Sequence, residues 1–201
     1  HTWLRRHGLS APGDVEIIFL PPPLMPTHLK AGPIDGYCVG EPWNSEAILS
    51  GTGWCPATSA ELSHGHPEKV LLVSGRFLRE HKDETVTLVA ALLDACKLCQ
   101  DPAFRNDLIT ILAMDEYTGA SPEMLRNSMG GQFVTGPQSV NGSSFHIFHG
   151  DSVNRPTVEK ASWVLAGLRS IGALPDITCG SLSRIYREDI FHTAFHCCQG
   201  T

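Results

Sequence analysis

The sequence predicts an α/β fold, and three observations support this prediction. Short apolar segments rich in β-branched and aromatic residues alternate with segments of helical length between residues 14 and 51. From residue 75 onward, amphipathic helical patterns dominate. Hydrophobic residues make up 42% of the 201 residues and charged residues 18%, which suffices for one substantial core or for two smaller lobes that share a crevice.

The first strand and helix are predicted from residues 14–32. DVEIIFL, residues 14–20, has the length and composition of a buried strand. Three prolines, Pro21–Pro23, end this strand. Residues 24–32 then have the length of a short helix that ends at Gly32.

A second strand and helix follow at once. DGYCVG, residues 35–40, is predicted to be a strand, and EPWNSEAILSG, residues 41–51, a helix with Pro42 in its first turn. This alternation is typical of a layer with parallel strands. Two further segments, TGWCPATS (52–59) and EKVLLVS (68–74), are candidate strands.

The remaining sequence favours helices. DETVTLVAALLDACKLCQ begins at Asp83, a predicted N-cap, and carries a core-facing stripe at helical spacing: Val86, Val89, Ala90, Leu93 and Cys96. Further helices are predicted within residues 101–114, 121–129, 154–172 and 181–198. Residues 130–145 are rich in glycine and polar residues and predict a long surface loop.

Charge and hydropathy argue against several classes of partner. The net charge is −6 and no run of lysines or arginines occurs, so neither nucleic acid nor an anionic membrane surface is favoured. No apolar run approaches the roughly 20 residues that a membrane-spanning helix needs. The start HTWLRRHGLS lacks the apolar region of a signal peptide, and its first residue is His1 with a helix predicted to end at Gly8. We therefore expect further sequence upstream.

The seven cysteines lack the regular spacing of a disulfide framework. Reduced thiols in a cytoplasm are the simpler interpretation, with a periplasmic or membrane-anchored location as the alternative.

Metal and catalytic motifs are weak. His192 and His196 are four residues apart on a predicted helix, and Cys96 and Cys99 form a CxxC, but a structural zinc site usually needs two matched ligand pairs. His146 and His149 fit packed imidazoles better than a metal site. The sequence contains no G-x-S-x-G, glycine-rich phosphate loop or HExxH, and Cys38 lies in a predicted buried strand. We expect no metal, no cofactor and no enzymatic activity.

Two predicted strand-to-helix junctions, Leu20–Pro23 and Val39–Pro42, lie where α/β proteins bind small anions. The alternative is an empty junction, which any α/β unit contains. Glu41 at a helix start would repel an anion, so it is either a helix-entry residue or needs a cation or a proton beside it. Lys69 at the start of a candidate strand could neutralise an anion there, or could be an ordinary exposed lysine.

The segment EIIFLPPPLMPTHLKAGPIDGYCVGEPWN, followed by HPEKVLLV, resembles the nitrate- and bicarbonate-binding proteins of ABC transporters and their cytoplasmic nitrate-sensor relative. The family pattern is a strand that ends in PPP, a helix that ends in K-A-G, then D-G-[FY]-C-V-G-E-P-W-N and H-P-E-K. The resemblance is clearest over residues 1–82 and continues more weakly to residue 170. It is poor over residues 130–145 and near the end of the chain.

This resemblance implies a periplasmic-binding-protein-like type II fold with two lobes, present here as a C-terminal fragment. Residues 1–70 would belong to the second α/β lobe, and residues 71–201 would form a helix-rich return segment of the first lobe. The family's tryptophan, glutamine and histidine ligands would lie upstream, so this chain would hold half of a cleft between the lobes.

The resemblance also implies a site and a function. Pro22, Val39, Gly40 and Lys69 would bind the anion, and Glu41 would be a cleft-lining residue. Lys69 favours nitrate or nitrite, because the bicarbonate branch has a carboxylate at that position and uses calcium. The parent would be a bacterial substrate-binding or sensor protein, with an ABC-transporter permease or an antiterminator protein as its partner. A regulatory interaction module, or a remnant without anion binding, is the alternative.

Overall fold

The computed structural model describes residues 1–136, 139–141, 146–174 and 182–199. The chain divides into two compact units. Unit one contains residues 1–64 and 103–146, and unit two contains residues 65–102 and 147–201. The predicted boundary between residues 70 and 71 separates lobes of the family fold, which differ from these compact units. It stays a prediction.

Unit one contains six helices and two short strands in its described part. These elements are α1 (Thr2–Arg6), α2 (Met25–Ala31), α3 (Trp43–Leu49), α4 (Ser59–Leu62), α7 (Arg105–Leu112), α8 (Pro122–Met129), β1 (Gln132–Val134) and β2 (Ser139–Asn141). A 3₁₀ turn, Pro22–Leu24, precedes α2, and another, Pro102–Phe104, precedes α7 at the boundary of the unit.

Unit two contains the other described helices. They are α5 (Gly75–Glu80), α6 (Lys82–Gln100), α9 (Asp151–Asn154), α10 (Val158–Ser170) and α11 (Glu188–Gln199), with a 3₁₀ turn at Leu182–Arg184. Within the described part of the chain, no helix is both long enough and apolar enough to cross a membrane.

Glycines end the two helices that flank the predicted anion junctions. Gly32 has φ 92° and donates its N–H to the carbonyl of His28 at 3.0 Å, so it terminates α2 in the left-handed conformation that glycine adopts without strain. Gly51 has φ 69° just beyond α3. The predicted ends of both helices are confirmed.

The core of unit one forms around α8, which contacts α3, α7 and β1. Leu125 and Ile109 are 2% and 4% exposed and pack with Ala120. Phe133 of β1 is 1% exposed. This core therefore joins segments that are distant in sequence, including the helix that follows the Val39–Pro42 junction.

The core of unit two is the contact between α6 and α11. Val86 and Leu93 of the predicted stripe are buried against apolar residues of α11: Ile190, Phe191 and Ala194. Val89 and Ala90 pack at the edge of the same cluster, which confirms the stripe at four of its five predicted positions. Asp83 is not the N-cap, because α6 begins one residue earlier, at Lys82, with His81 as its N-cap. Asp83 instead lies in the first turn, where the helix dipole favours a carboxylate.

The candidate strands do not form a sheet in the structure. Residues 14–20, 35–40, 52–58 and 68–74 lie outside regular secondary structure, and α4 begins at Ser59. Strands exist only as hydrogen-bonded pairs, and the described residues supply no neighbouring strand for these segments. Large apolar side chains of the first and last of these segments are exposed to solvent, with Phe19 96% and Leu72 84% exposed. These apolar faces lack a covering layer within the described chain.

The predicted surface loop at residues 130–145 contains a hairpin, so this prediction is wrong in part. β1 pairs antiparallel with β2, with Phe133 opposite Val140. The glycines at 130 and 131 led to the loop prediction, but the segment that follows them alternates: Phe133 points inward between two exposed neighbours. Residues 137, 138 and 142–145 lie outside the described part.

Candidate functional site

Four of the five predicted site residues lie in unit one, on the two segments that lead into α2 and α3. Pro22 is exposed and opens the 3₁₀ turn, in which Leu24 donates its N–H to the carbonyl of Pro21 at 2.9 Å. Val39 is half-buried, and its carbonyl accepts a hydrogen bond from Nδ2 of Asn44 at 2.8 Å. The α3 side chain thus fixes the peptide group that precedes Gly40.

Gly40 is exposed and has open space beside it. A Cβ atom built at Gly40 would meet no heavy atom within 4 Å. Its φ is not in the left-handed region, so the backbone conformation alone does not require glycine. The open face leaves room for a ligand to approach the backbone at this position.

Lys69 lies in unit two. Its side chain is 87% exposed, and its Nζ pairs with Oε1 of Glu68 at 3.1 Å. The structure therefore brings together Pro22, Val39, Gly40 and Glu41 in one unit and places the predicted cationic residue in the other.

Glu41 is the most constrained of these residues. Its Oε2 accepts hydrogen bonds from the hydroxyl of Ser45 at 2.6 Å and from the backbone N–H of Ser45 at 3.3 Å. Its Oε1 is inaccessible to solvent and has no hydrogen-bond partner among the described residues. Burial raises the pKa of Glu41, and the hydrogen bonds from Ser45, together with the nearby side-chain amide of Asn44, only partly oppose this effect.

A polar network continues from Glu41 into the core of unit one. The hydroxyl of Ser45, which is 0% exposed, accepts a hydrogen bond from Nδ2 of Asn127 at 3.0 Å. Nδ2 of Asn127 also donates to the carbonyl of Val134 at 3.3 Å, while the N–H of Val134 donates to Oδ1 of Asn127 at 3.0 Å. The network ties the turn before α3 to both α8 and β1.

Two further titratable groups lie beside Glu41. The hydroxyl of Tyr37 donates to the carbonyl of Trp43 at 2.9 Å, and burial, with nearby acidic groups, raises the pKa of Tyr37 to about 12. The thiol of Cys55 donates to the carbonyl of Ala57 at 3.3 Å, and burial raises its pKa as well. Both groups are therefore neutral at pH 7, and Cys55 lacks the thiolate character of a nucleophile.

Sequence reasoning named Glu41 but missed its partners. Ser45 could have been found, because residues four apart share one face of a helix and Ser45 follows Glu41 at that distance. Asn127 is 82 residues from Ser45, and no local pattern connects them.

Replacing Glu41 by glutamine should change how stability depends on pH. The folded-state pKa of Glu41 lies above its ordinary value of 4.5, so the folded protein retains a proton that the unfolded chain releases. The free energy of unfolding of the wild type should therefore fall as pH rises from that value, by at most about 1.4 kcal/mol per pH unit from this group. Glu41→Gln should lose this component, as measured by urea denaturation at several pH values. Glu46→Gln on α3 is the control, and equal pH slopes for Glu41→Gln and wild type would contradict the prediction.

The residues tested for metal binding do not converge in the described structure. Within the residues that the structure describes, no three His, Cys, Asp or Glu side chains form a group that could hold a metal. His192 faces Glu188 at 3.9 Å. Burial raises the pKa values of Cys96 and Cys99. Cys179 and the side chain of Cys198 lie outside the described part.

A surface depression in unit two contains none of the predicted residues. It lies at the start of α11 and is lined by polar and charged side chains: Ser183, Arg184, Tyr186, Arg187, Glu188 and Asp189. Arg187 and Asp189 pair with each other at 2.6 Å. The two arginines and the two carboxylates that line this depression balance in charge, so it offers an anion no net positive charge.

Comparison with known families gives one match over the first part of the chain. The profile of the NMT1-like family matches residues 1–113, including every residue of the predicted anion site.

Sequence relatives include transport ATP-binding proteins and an anion-binding protein. The chain is 33% identical to the nitrate import ATP-binding protein NrtC and 35% identical to the bicarbonate transport ATP-binding protein CmpC, both of Synechocystis sp. PCC 6803. Each alignment covers 96% of this chain and 29% of the relative. The chain is 29% identical to the nitrate/nitrite binding protein NrtA of Synechococcus elongatus, over 96% of this chain and 44% of NrtA. It thus spans less than half the length of each.

A solved structure shows the fold. The crystal structure of the periplasmic nitrate-binding protein NrtA from Synechocystis PCC 6803 matches with a TM-score of 0.91 at 22% identity. The match covers 100% of this chain and 54% of the NrtA chain. The predicted periplasmic-binding-protein fold is therefore confirmed, with this chain corresponding to about half of it.

Proposed function

The chain belongs to the NMT1-like family, and from this premise we propose that it forms part of a substrate-binding protein that binds nitrate or nitrite without chemical change. The observation that carries the proposal is the open face of Gly40, in the turn that leads into α3, in a chain with this fold. A backbone position without a side chain allows a small ligand to approach closely. The relatives NrtA and NrtC, whose names refer to nitrate, support the choice of ligand.

Lys69 supports nitrate over bicarbonate. Overall identity does not separate the two ligands, since it is 33% to NrtC and 35% to CmpC. A lysine supplies a positive charge to an anion directly, without a bridging metal ion. In this proposal Lys69 leaves Glu68 and neutralises the bound anion, while Pro22 forms a wall of the site.

A second candidate is an anion-responsive part of a transport ATP-binding protein. Identity to NrtC and CmpC, 33% and 35%, exceeds the 29% identity to NrtA. These 201 residues contain no glycine-rich phosphate loop, so any ATP site would lie elsewhere in the polypeptide. ATP hydrolysis by the complete encoded polypeptide, at a rate that changes with nitrate, would favour this candidate. Nitrate binding without hydrolysis would favour a dedicated binding protein that delivers the anion to an ABC permease.

Compartment and regulatory role belong to the proposal as well. The solved relative NrtA is a periplasmic protein, and no comparison favours the cytoplasm that the cysteines suggested. The five cysteines with described side chains, Cys38, Cys55, Cys96, Cys99 and Cys197, are free thiols in the structure. A sensor that releases an antiterminator protein finds no specific support among the relatives.

The test is a nitrate titration of the complete encoded polypeptide by isothermal calorimetry, with Gly40→Ala as the site variant. A methyl group at Gly40 meets no protein atom, so folding stability should change little, while the ligand loses space and affinity should fall about ten-fold or more. Gly36→Ala is the matched control, because Gly36 is equally open and lies outside the predicted site. Equal affinities for both variants would remove Gly40 from the site, and no heat from wild type would reject the nitrate proposal.

A further inference from the structure

The unpartnered carboxyl oxygen of Glu41 has no role in the function proposed so far. Oε2 is held by the hydroxyl and the backbone N–H of Ser45, at 2.6 and 3.3 Å. Oε1 is closed off from solvent and receives no hydrogen bond within the described structure. An ionised carboxylate in this position would leave one charged oxygen without water and without a donor, which is strongly unfavourable. A proton on Oε1 removes that charge.

The groups that surround Glu41 offer no compensating positive charge. Tyr37 and Cys55 interact electrostatically with Glu41, and these two interact in turn with Glu46, Glu61 and Cys38. Each of these five groups carries a negative charge when it is ionised. The helices that pack against α3 are α2 and α8. Their charged or titratable residues are His28, Lys30, Glu123 and Arg126, and none of these forms a hydrogen bond or ion pair with Glu41 in the described structure. Burial raises the pKa of Glu41 in this acidic setting.

Glu41 is also next to the proposed anion site in the chain. It directly follows Gly40, whose open face would receive the anion, so its carboxyl group lies within about one Debye length, about 10 Å, of that residue. Like charges within this distance disfavour each other, and burial of the carboxyl reduces the screening by salt. An anion at Val39 and Gly40 therefore favours the protonated form of Glu41, and protonation of Glu41 favours the anion.

We infer that Glu41 is a proton-binding site coupled to the anion site, so that the protein takes up a proton from solvent on Oε1 as it binds the anion. This inference rests on the proposed nitrate function. The Glu41 carboxylate takes a proton from solvent and becomes neutral, while the anion binds without forming a covalent bond. Linkage is reciprocal, so the proton and the anion strengthen each other's binding by the same factor. Ser45 is a positioning residue that holds Oε2 and thereby leaves Oε1 as the protonated oxygen.

The test extends the nitrate titration of the complete polypeptide to a range from about pH 5 to about pH 8, in paired buffers of different ionisation enthalpy. We expect the dissociation constant to rise by up to about ten-fold per pH unit at the alkaline end. The difference in heat between buffers should report uptake of as much as about one proton per anion there.

Two variants and one spectroscopic measurement isolate Glu41. Glu41→Gln, which carries no titratable proton, should remove both the pH dependence and the proton uptake. Glu46→Gln, which removes a nearby acidic group outside the proposed site, should retain both. Infrared difference spectra of wild type, recorded in the pH range where nitrate affinity falls with rising pH, should gain a protonated-carboxyl band when nitrate is added, and this readout does not depend on the folding of any variant.

Three results would overturn the inference. Nitrate binding that is independent of pH and buffer, with no new carboxyl band, would reject the proton site and leave the proposed function standing. Affinity that depends on added sodium or calcium ions instead of pH would put a metal cation in place of the proton. No nitrate binding at any pH would reject the inference together with the proposed function.

Discussion

Reversing the charge of Lys69 is expected to reduce nitrate affinity of the complete polypeptide by at least about a hundred-fold. A unit charge pair at about 4 Å is worth roughly 4 kcal/mol at the effective dielectric near a protein surface, and Lys69→Glu replaces this attraction with repulsion. The side chain is 87% exposed in the structure, and its pair with Glu68 at 3.1 Å is an exposed one that contributes little to stability. The variant should therefore fold normally, and calorimetry should detect a loss of binding alone.

Lys82→Glu is the control for Lys69→Glu. It makes the same change of charge in unit two, at the exposed start of α6, where a carboxylate suits the helix dipole. The control should bind nitrate with nearly wild-type affinity. Affinity of Lys69→Glu within about two-fold of the control would exclude Lys69 from the site, because such a ratio is under about 0.5 kcal/mol.

Removing the side chain of Asn127 should produce the largest loss of stability among polar substitutions near the site. Asn127 donates to Ser45 and Val134 and accepts from the N–H of Val134, so Asn127→Ala breaks three hydrogen bonds. Each contributes about 0.5–1.5 kcal/mol, and a buried group left unpaired costs more, so we expect a loss of roughly 2–4 kcal/mol in free energy of unfolding. Urea denaturation measures this change, and nitrate affinity should fall as well because the network positions the turn at Glu41.

Asn106→Ala on α7 is the matched control, since it makes the same substitution on an exposed helical face. Its effect should stay within about 0.5 kcal/mol of zero. Similar losses in free energy of unfolding for the two variants would mean that the hydrogen bonds of Asn127 contribute no more to stability than an exposed asparagine does.

The sequence allowed prediction of features that depend on nearby residues. Gly32 and Gly51 end helices by local backbone geometry, and Val86 and Leu93 line one helix face by spacing alone. The GEPWN motif located Glu41 on the turn before α3. These features need no knowledge of the rest of the chain.

Features that depend on distant residues could not be predicted in this way. Apolar composition at Ile17–Phe19 indicates a strand, but pairing requires a neighbour that the described chain does not supply. Phe133 enters the core although glycines precede it. Asn127 reaches Ser45 across 82 residues, and Lys69 lies in a different unit from Gly40. How Lys69 and Gly40 act together stays a prediction that the variants above can test.

In an isolated polypeptide of these 201 residues, we expect the exposed segments at Ile17–Phe19 and Val70–Leu72 to promote association between molecules. Short apolar windows of high β-propensity template stacked strands between molecules unless charges or prolines flank them. Pro21–Pro23 follow the first window, and Glu68 with Lys69 precedes the second. We therefore expect Pro22 and Lys69, which we propose as anion-binding residues, to limit such stacking as well. Substitutions at either position should be judged by solubility as well as by affinity.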